Sequence, residues 1–391
     1  MTEVGSAKKR VLIIGEYFPP AEKAGGPLRT LQATAQILAE DYQVFVLSRG
    51  FDLGARQPLA GIVLDTWIWG LDGRVKLYYG SKGLSPGTYR RILRECAPDL
   101  IFINSFFSPR YSFLPLIFAP FDRRQYLCAP RGELAPEALR IKPLKKKLYL
   151  VLTRFLWGRF RFVFSSAKER AEAMIIFGPR LGTADVIAEP ISLNPIASPA
   201  RPLAKAAGQL RAVFVARIHP IKNLRLAIEC IAQTLSATLD IYGPINSVQE
   251  QAYWDECALL ISKLSVGDRI RYHGPVANDM IGEILRRAHL LMAPSLSENF
   301  GHSILEALLQ ARPVLISDRT PWSEVTARGF GQALALEQPT EFVQALKFYR
   351  DLDENEFAKI SAQIATELHH LYNPDQARRD WKRLIAEVVA S

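Results

Sequence analysis

Cysteine is scarce in this chain of 391 residues, with only Cys96, Cys128, Cys230 and Cys257. No two of them form a Cys-x-x-Cys pair, which removes a structural zinc site or a thioredoxin-like redox motif and fits reduced thiols in a cytoplasmic protein. Long apolar runs are missing as well. The basic residues Lys8, Lys9 and Arg10 precede only the short run 11–14 before Gly15 and Glu16, less than the hydrophobic region of a signal peptide. The best membrane-span candidate, 148–164, is broken by Arg154, Arg159 and Arg161, whereas a bilayer asks for ~20 apolar residues. There is no P-loop, no Gly-x-Gly-x-x-Gly, no zincin motif and no Gly-x-Ser-x-Gly elbow. The one Asp-x-Asp, Asp351-Leu352-Asp353, lies in a run with Glu354 and Glu356 and reads as a solvated charged turn, so neither a metal nor a cofactor is expected. Repeats of solenoid length and low-complexity tracts are also lacking.

What is present is a folded composition, 49% hydrophobic and 10% aromatic, long enough for two domains of ordinary size. Short β-branched runs alternate with segments of helical spacing, the pattern of parallel α/β sheets. Strands are expected at 11–14, 44–47, 100–103, 126–129, 162–164 and 185–187. The pattern then restarts at 212–216, 239–242, 269–273, 289–292 and 313–317, with helices at 223–233, 280–288 and 301–310. Between the halves, 189–208 holds Pro190, Pro195, Pro199 and Pro202, which would interrupt a continuous helix or central strand and suits a linker. The expected division is 1–200, 201–372 and a C-terminal helix, 373–391, opened by Asn373 and Pro374 and able to pack back on the first domain. Two doubly wound units place ligands at the carboxyl ends of their strands, in crevices able to face one another.

The segment from Ser295 to Ala307 follows a strand and opens a helix. It holds Glu298 in the turn and Glu306 about two turns into the helix. A carboxylate accepts two hydrogen bonds at once and so suits a vicinal diol, the amides of Phe300, Gly301 and His302 at the helix start favour an anion, and Asn299 beside them is a further donor-binding candidate. An isolated glutamate pair would ordinarily be a loop charge and a solvated helix residue. Here Leu305, Leu308 and Leu309 make the helix apolar around Glu306, a costly neighbourhood for an unpartnered charge. Gly25 and Gly26, in the turn after the first strand and before the helical pattern 28–38, would let a backbone approach a phosphate closely.

In these residues the sequence resembles the retaining, nucleotide-sugar-dependent glycosyltransferases of family 4, whose fold is GT-B. The resemblance extends over Val215-Ala216-Arg217-Ile218-His219-Pro220-Ile221-Lys222-Asn223, with Ala216 where the family often has Gly, and over Gly25-Gly26-Pro27, Tyr242-Gly243-Pro244 and His273-Gly274-Pro275-Val276. It is strongest over 211–325 and thinner before 200. It implies a hexosyltransferase in which Glu306 holds the ribose of a UDP- or GDP-linked donor, Glu298 the transferred sugar, and Arg217 and Lys222 the diphosphate. Gly25, Gly26, Gly243 and Val276 would also lie against the donor, and a glycan or polyprenyl-linked acceptor would meet the first domain, as in polysaccharide synthesis. Fixed cations facing the leaving β-phosphate lower the barrier electrostatically. The family's histidine in the first half is missing, since no His precedes His219. At the matching place stands Cys128-Ala129-Pro130-Arg131-Gly132-Glu133. Two readings stand there: Arg131 supplies charge near the diphosphate or acceptor and Glu133 touches the acceptor, or both are turn and capping residues.

The net charge of +10 favours anionic partners, yet no nucleic-acid module or aromatic platform accompanies it, so none is expected. The imbalance concentrates at 123–161, with eleven Lys or Arg against Glu133 and Glu137. There Leu144, Leu148, Leu152 and Phe155 recur at helical spacing beside Lys145, Lys146, Lys147 and Trp157. This segment is either a basic amphipathic helix on an anionic membrane or a core helix showing lysines to water. Rival functions are a GT-B epimerase or phosphorylase and a catalytically silent glycan- or membrane-binding protein.

Overall fold

A computed structural model describes residues 8–23, 25–190 and 203–391. The chain forms two compact units, Met1–Ser192 with Pro374–Ser391, and Leu193–Asn373. Most of the proline-rich linker, including Pro195, Pro199 and Pro202, lies outside the described residues.

In the first unit the chain runs β1 (Arg10–Ile14), α1 (Gly26–Leu38), β2 (Gln43–Arg49), β3 (Trp67–Gly70), β4 (Val75–Gly80), α2 (Pro86–Cys96) and β5 (Leu100–Ile103). It continues through α3 (Phe113–Phe118), β6 (Gln125–Cys128), α4 (Pro136–Leu139), α5 (Pro143–Thr153), β7 (Arg161–Phe164), α6 (Ala167–Phe177) and β8 (Ala184–Val186). The sheet order is β3-β4-β2-β1-β5-β6-β7-β8, parallel except for the antiparallel β3–β4 pair. The unbroken apolar run of β1 is buried on both faces, as a central parallel strand requires. Strands β3 and β4 were not expected from the sequence. They form a hairpin about the positive-φ residues Leu71, Asp72 and Gly73.

The second unit contains β9 (Leu210–Val215), α7 (Leu224–Ala232), β10 (Ala237–Tyr242), α8 (Val248–Lys263), β11 (Ile270–Tyr272), α9 (Ile281–Arg287) and β12 (Leu290–Ala293). Then come α10 (His302–Leu309), β13 (Val314–Ser317), β14 (Gly331–Leu334), α11 (Pro339–Asp351) and α12 (Glu354–Glu367). The order is β11-β10-β9-β12-β13-β14, all parallel. Strand order reverses between β9 and β12, so the turns leaving these two strands diverge and open a crevice at their carboxyl ends. In the first unit the same reversal falls between β1 and β5.

The last helix, α13 (Pro374–Ala390), belongs to the first unit. Trp381, Leu384, Ile385 and Val388, at helical spacing, are buried in the core that also holds Val11, Ile13 and Phe102. The Trp381 indole donates to the Ala188 carbonyl (3.1 Å), and Lys382 pairs with Glu40 and Asp41.

His289, just ahead of β12, is buried, and its Nδ1 accepts the Arg211 amide (3.0 Å). Burial first, then the charges of Arg211, Lys205 and Arg312, hold its pKa down to about 4. A folded pKa below the unfolded value near 6.5 means the neutral ring stabilises fully above pH 6.5. That contribution, about 3 kcal/mol, is lost as pH falls from 6.5 towards 4. Denaturant titrations across this window should show the loss, and a His289→Asn variant, which keeps an acceptor without the titration, should show a flatter profile.

Candidate active site

The turn after β9 runs from Ala216 to Asn223, whose positive φ lets α7 start. The turn after β12 runs from Pro294 to Gly301, the N-cap of α10 with φ +83°. A backbone hydrogen bond from Leu296 to the Ile221 carbonyl (2.8 Å) ties the two turns together across the reversal point. Lys222 Nζ then meets Glu298 Oε2 at 2.6 Å, and Ser295 Oγ donates to the same oxygen at 3.3 Å. Both contacts fall on one carboxylate oxygen, Oε2. A Cβ on Gly301 would come within 3.2 Å of Glu298 Cγ and 2.9 Å of Ile304 Cδ1, so a side chain there would crowd the carboxylate.

Arg217 takes a different partner. Its Nε lies 3.2 Å from Glu250 Oε1, on the first turn of α8, and Glu250 is itself buried and accepts the Asn246 amide (2.6 Å). The Arg217 side chain is anchored at Nε and stays 40% exposed. His219 Nδ1 accepts the Ile221 amide (3.1 Å). Burial, then the Arg217 and Lys222 charges, lower its pKa, which keeps the ring neutral between two cations. Gly243, after β10, is required by close approach, because a Cβ there would lie 1.8 Å from the Ala216 carbonyl oxygen. Val276 is half-buried in the turn after β11, the outer strand.

Glu306 is half-buried on α10, among the buried Ile304, Leu305, Ala307 and Leu308. Phe300 is buried against His302, Trp322 and Tyr372, and the Trp322 indole donates to its carbonyl. Phe300 therefore braces the turn, in which Gly301 is buried and Asn299 and His302 are half-buried.

In the first unit Gly25 (φ +72°) is the N-cap of α1 and Gly26 its first residue. Arg131 and Glu133 are not surface groups. The Arg131 guanidinium is buried and divided between Asn104 Oδ1 (2.7 Å) and Glu189 Oε1 (3.2 Å), with the Trp381 ring 5.8 Å away. Glu189 also accepts from Thr30 of α1, and Asn104 Nδ2 donates to the Pro27 carbonyl (3.4 Å). Arg131 thus braces the first turns of α1. Glu133 accepts the amides of Phe106 (2.6 Å) and Phe107 (2.8 Å) and the Ser105 hydroxyl (2.8 Å). Its carboxylate is spent on holding the turn after β5, although burial raises its pKa.

Sequence reading passed over Ser295, Glu250 and Glu189. Only Glu250 carried a local signal, the Ser247-x-x-Glu250 spacing of a helix start, where Ser247 Oγ accepts the Glu250 amide (3.1 Å). The four cysteines are all buried, and burial raises Cys257 to about 11 and Cys96 and Cys230 to about 12, unlike activated thiolates. No three His, Cys, Asp or Glu side chains cluster as metal ligands among the described residues. Asp353 instead caps α12 with Glu356, and Asp351 pairs with Arg350.

Two such units in one chain define the GT-B fold. The structure of sucrose-phosphate synthase from Thermosynechococcus elongatus superposes with a TM-score of 0.78, covering 98% of this chain and 100% of that one at 14% identity. That of Anabaena HepE in complex with UDP and glucose gives 0.74, covering 97% and 100% at 17% identity. Residues 200–362 match the family model described as glycosyl transferases group 1. A D-inositol 3-phosphate glycosyltransferase of Nocardia farcinica is 26% identical over 170 residues, 40% of this chain. The match takes in 37% of that relative's length.

Glu189→Gln should destabilise the protein by about 3–5 kcal/mol, because it leaves the Arg131 charge buried without its counter-ion. Urea unfolding measures this, and a loss under about 1 kcal/mol would show that the pair is not a buried brace.

Proposed function

We propose that this protein is a retaining glycosyltransferase that moves a hexose from a nucleoside diphosphate sugar to a glycan or polyprenyl-linked acceptor in cell-surface polysaccharide synthesis. The observation that carries the reading is the pairing of Lys222 with Glu298 across the β9–β12 reversal point, beside the anchored, partly exposed Arg217. These two cations and one carboxylate suit a diphosphate linked to a sugar, with Arg217 and Lys222 on the phosphates and Glu298 on a sugar hydroxyl. Glu306 takes the ribose. HepE, of the same fold, was solved with UDP-glucose, which favours a UDP-linked donor.

In the reaction the bond between the anomeric carbon and the β-phosphate oxygen breaks, and the acceptor hydroxyl oxygen bonds to that carbon on the same face. The departing phosphate takes the hydroxyl proton. Negative charge grows on the β-phosphate as the bond breaks, so cations fixed beside it stabilise the transition state more than the ground state. Lys222 passes from Glu298 to the phosphate, and the released Glu298 oxygen becomes a second acceptor for the sugar. No protein nucleophile and no metal is required by this scheme.

A thermal-shift panel of UDP-, GDP- and ADP-sugars should single out one donor, since a bound donor stabilises the native state. With it, Glu306→Ala should weaken donor binding about tenfold to a hundredfold by calorimetry, the worth of one charge-assisted hydrogen bond, while Glu298→Ala lowers turnover and relaxes sugar choice. Unchanged donor affinity in the Glu306 variant would refute the ribose assignment. Arg217→Ala and Lys222→Ala should each depress turnover in a folded protein, with acceptor-dependent nucleotide release continuing in excess EDTA. A strict need for magnesium or manganese would shift charge stabilisation to a metal.

A further inference from the structure

Helix α5 turns its apolar face to solvent. Leu144, Leu148, Val151, Leu152 and Phe155 follow one another at helical spacing, so they form one stripe along the helix. They are 82%, 59%, 50%, 63% and 74% exposed. What faces inward is the other side. Tyr149 packs edge-on against Phe106 and Phe107, Thr153 is buried and accepts the Trp157 indole (3.0 Å), and Lys146 Nζ donates to the Ala138 carbonyl (2.8 Å). The core-helix reading of this segment is therefore overturned, and so is an interfacial Trp157, which is buried. Arg159 Nη2 donates to the carbonyls of Ala119 and Asp122, which brings the turn carrying Phe121, 88% exposed, beside the end of α5.

The charges along α5 itself are of one sign. No acidic residue occurs from 138 to 161, and Lys142, Lys145, Lys147, Arg154 and Arg159 are all exposed along it. Apolar side chains in a contiguous exposed stripe mark a surface with a partner. The cationic rim selects among partners. A second copy meeting the same face would set lysine against lysine, whereas an anionic leaflet supplies counter-charge at the headgroups and hydrocarbon beneath them.

We propose that this face docks the first unit on an anionic phospholipid surface. In this arrangement α5 lies in the interfacial plane, its stripe and Phe121 sit at the acyl boundary, and Lys142, Lys145, Lys147 and Arg154 lie among the headgroups. No helix among the described residues is long and apolar enough to cross a membrane, so attachment by this face is peripheral. The proposal goes beyond the transfer reaction and does not depend on which donor the second unit holds.

Flotation of the whole protein with vesicles of phosphatidylcholine alone, and of phosphatidylcholine mixed with phosphatidylglycerol, tests it. The protein should float only with the anionic vesicles, and the bound fraction should fall as salt is raised. Leu148→Asp with Leu152→Asp, and separately Lys145→Glu with Lys147→Glu, should each weaken binding about tenfold or more. Melting temperature and donor binding should stay as in the unaltered protein, which separates loss of docking from loss of folding or of the donor site. No flotation, or equal flotation with neutral vesicles, overturns the proposal. A dimer seen by sedimentation equilibrium and dissolved by the two Leu→Asp changes overturns it as well, and assigns the stripe to a second copy.

Discussion

A parallel sheet has to be covered by helices on both faces, and each crossover must return the chain to the same starting edge. Every strand-to-helix turn that carries chemistry is consequently delivered to the opposite, carboxyl edge. In the second unit that constraint fixes where Arg217, Lys222 and Glu298 stand before any side-chain contact is made. The reversal between β9 and β12 separates their turns, and the Leu296–Ile221 backbone bond keeps the separation small enough for Lys222 to reach Glu298. Gly243 belongs to the same constraint, since the Ala216 carbonyl occupies the space of any side chain there.

The two units use cations in opposite ways, and burial decides which. Arg217 is held at Nε by Glu250, and its side chain stays partly exposed to solvent. Arg131 is enclosed, and its charge is answered inside the protein by Glu189. A buried guanidinium of this kind orders backbone, here the first turns of α1 behind Gly25 and Gly26, and its contribution to a ligand passes through that loop.

Much of the fold was legible because the apolar runs of β1, β5, β9 and β13 are buried on both faces, and periodicity reads such runs directly. The β3–β4 hairpin escaped because Trp67–Gly70 is short and has half-exposed positions, with its register set by a turn at Leu71–Gly73 rather than by alternation. Strand β14 has little apolar content, and its place depends on Gly331, where a Cβ would lie 2.0 Å from the Val314 carbonyl oxygen. In the site, residue types and turns could be read from the family pattern. Pairing could not, because Lys222 and Glu298 are 76 residues apart and Arg131 and Glu189 are 58 apart. The orientation of α5 was equally hidden, since its leucines would show the same spacing whichever way the helix faced.

Helix α13 has a consequence for how the molecule is made. The Trp381 indole fills a place over the first sheet and hydrogen-bonds Ala188, yet the chain between those two residues is the whole of the second unit. On a ribosome, Val11, Ile13 and Phe102 would therefore emerge and pair into strands long before the residues that cover them exist. The first unit must wait, with part of one face open to water or to a chaperone, until everything through Asn373 has been synthesised. The second unit has no such dependence, since all of it lies in one continuous stretch of chain.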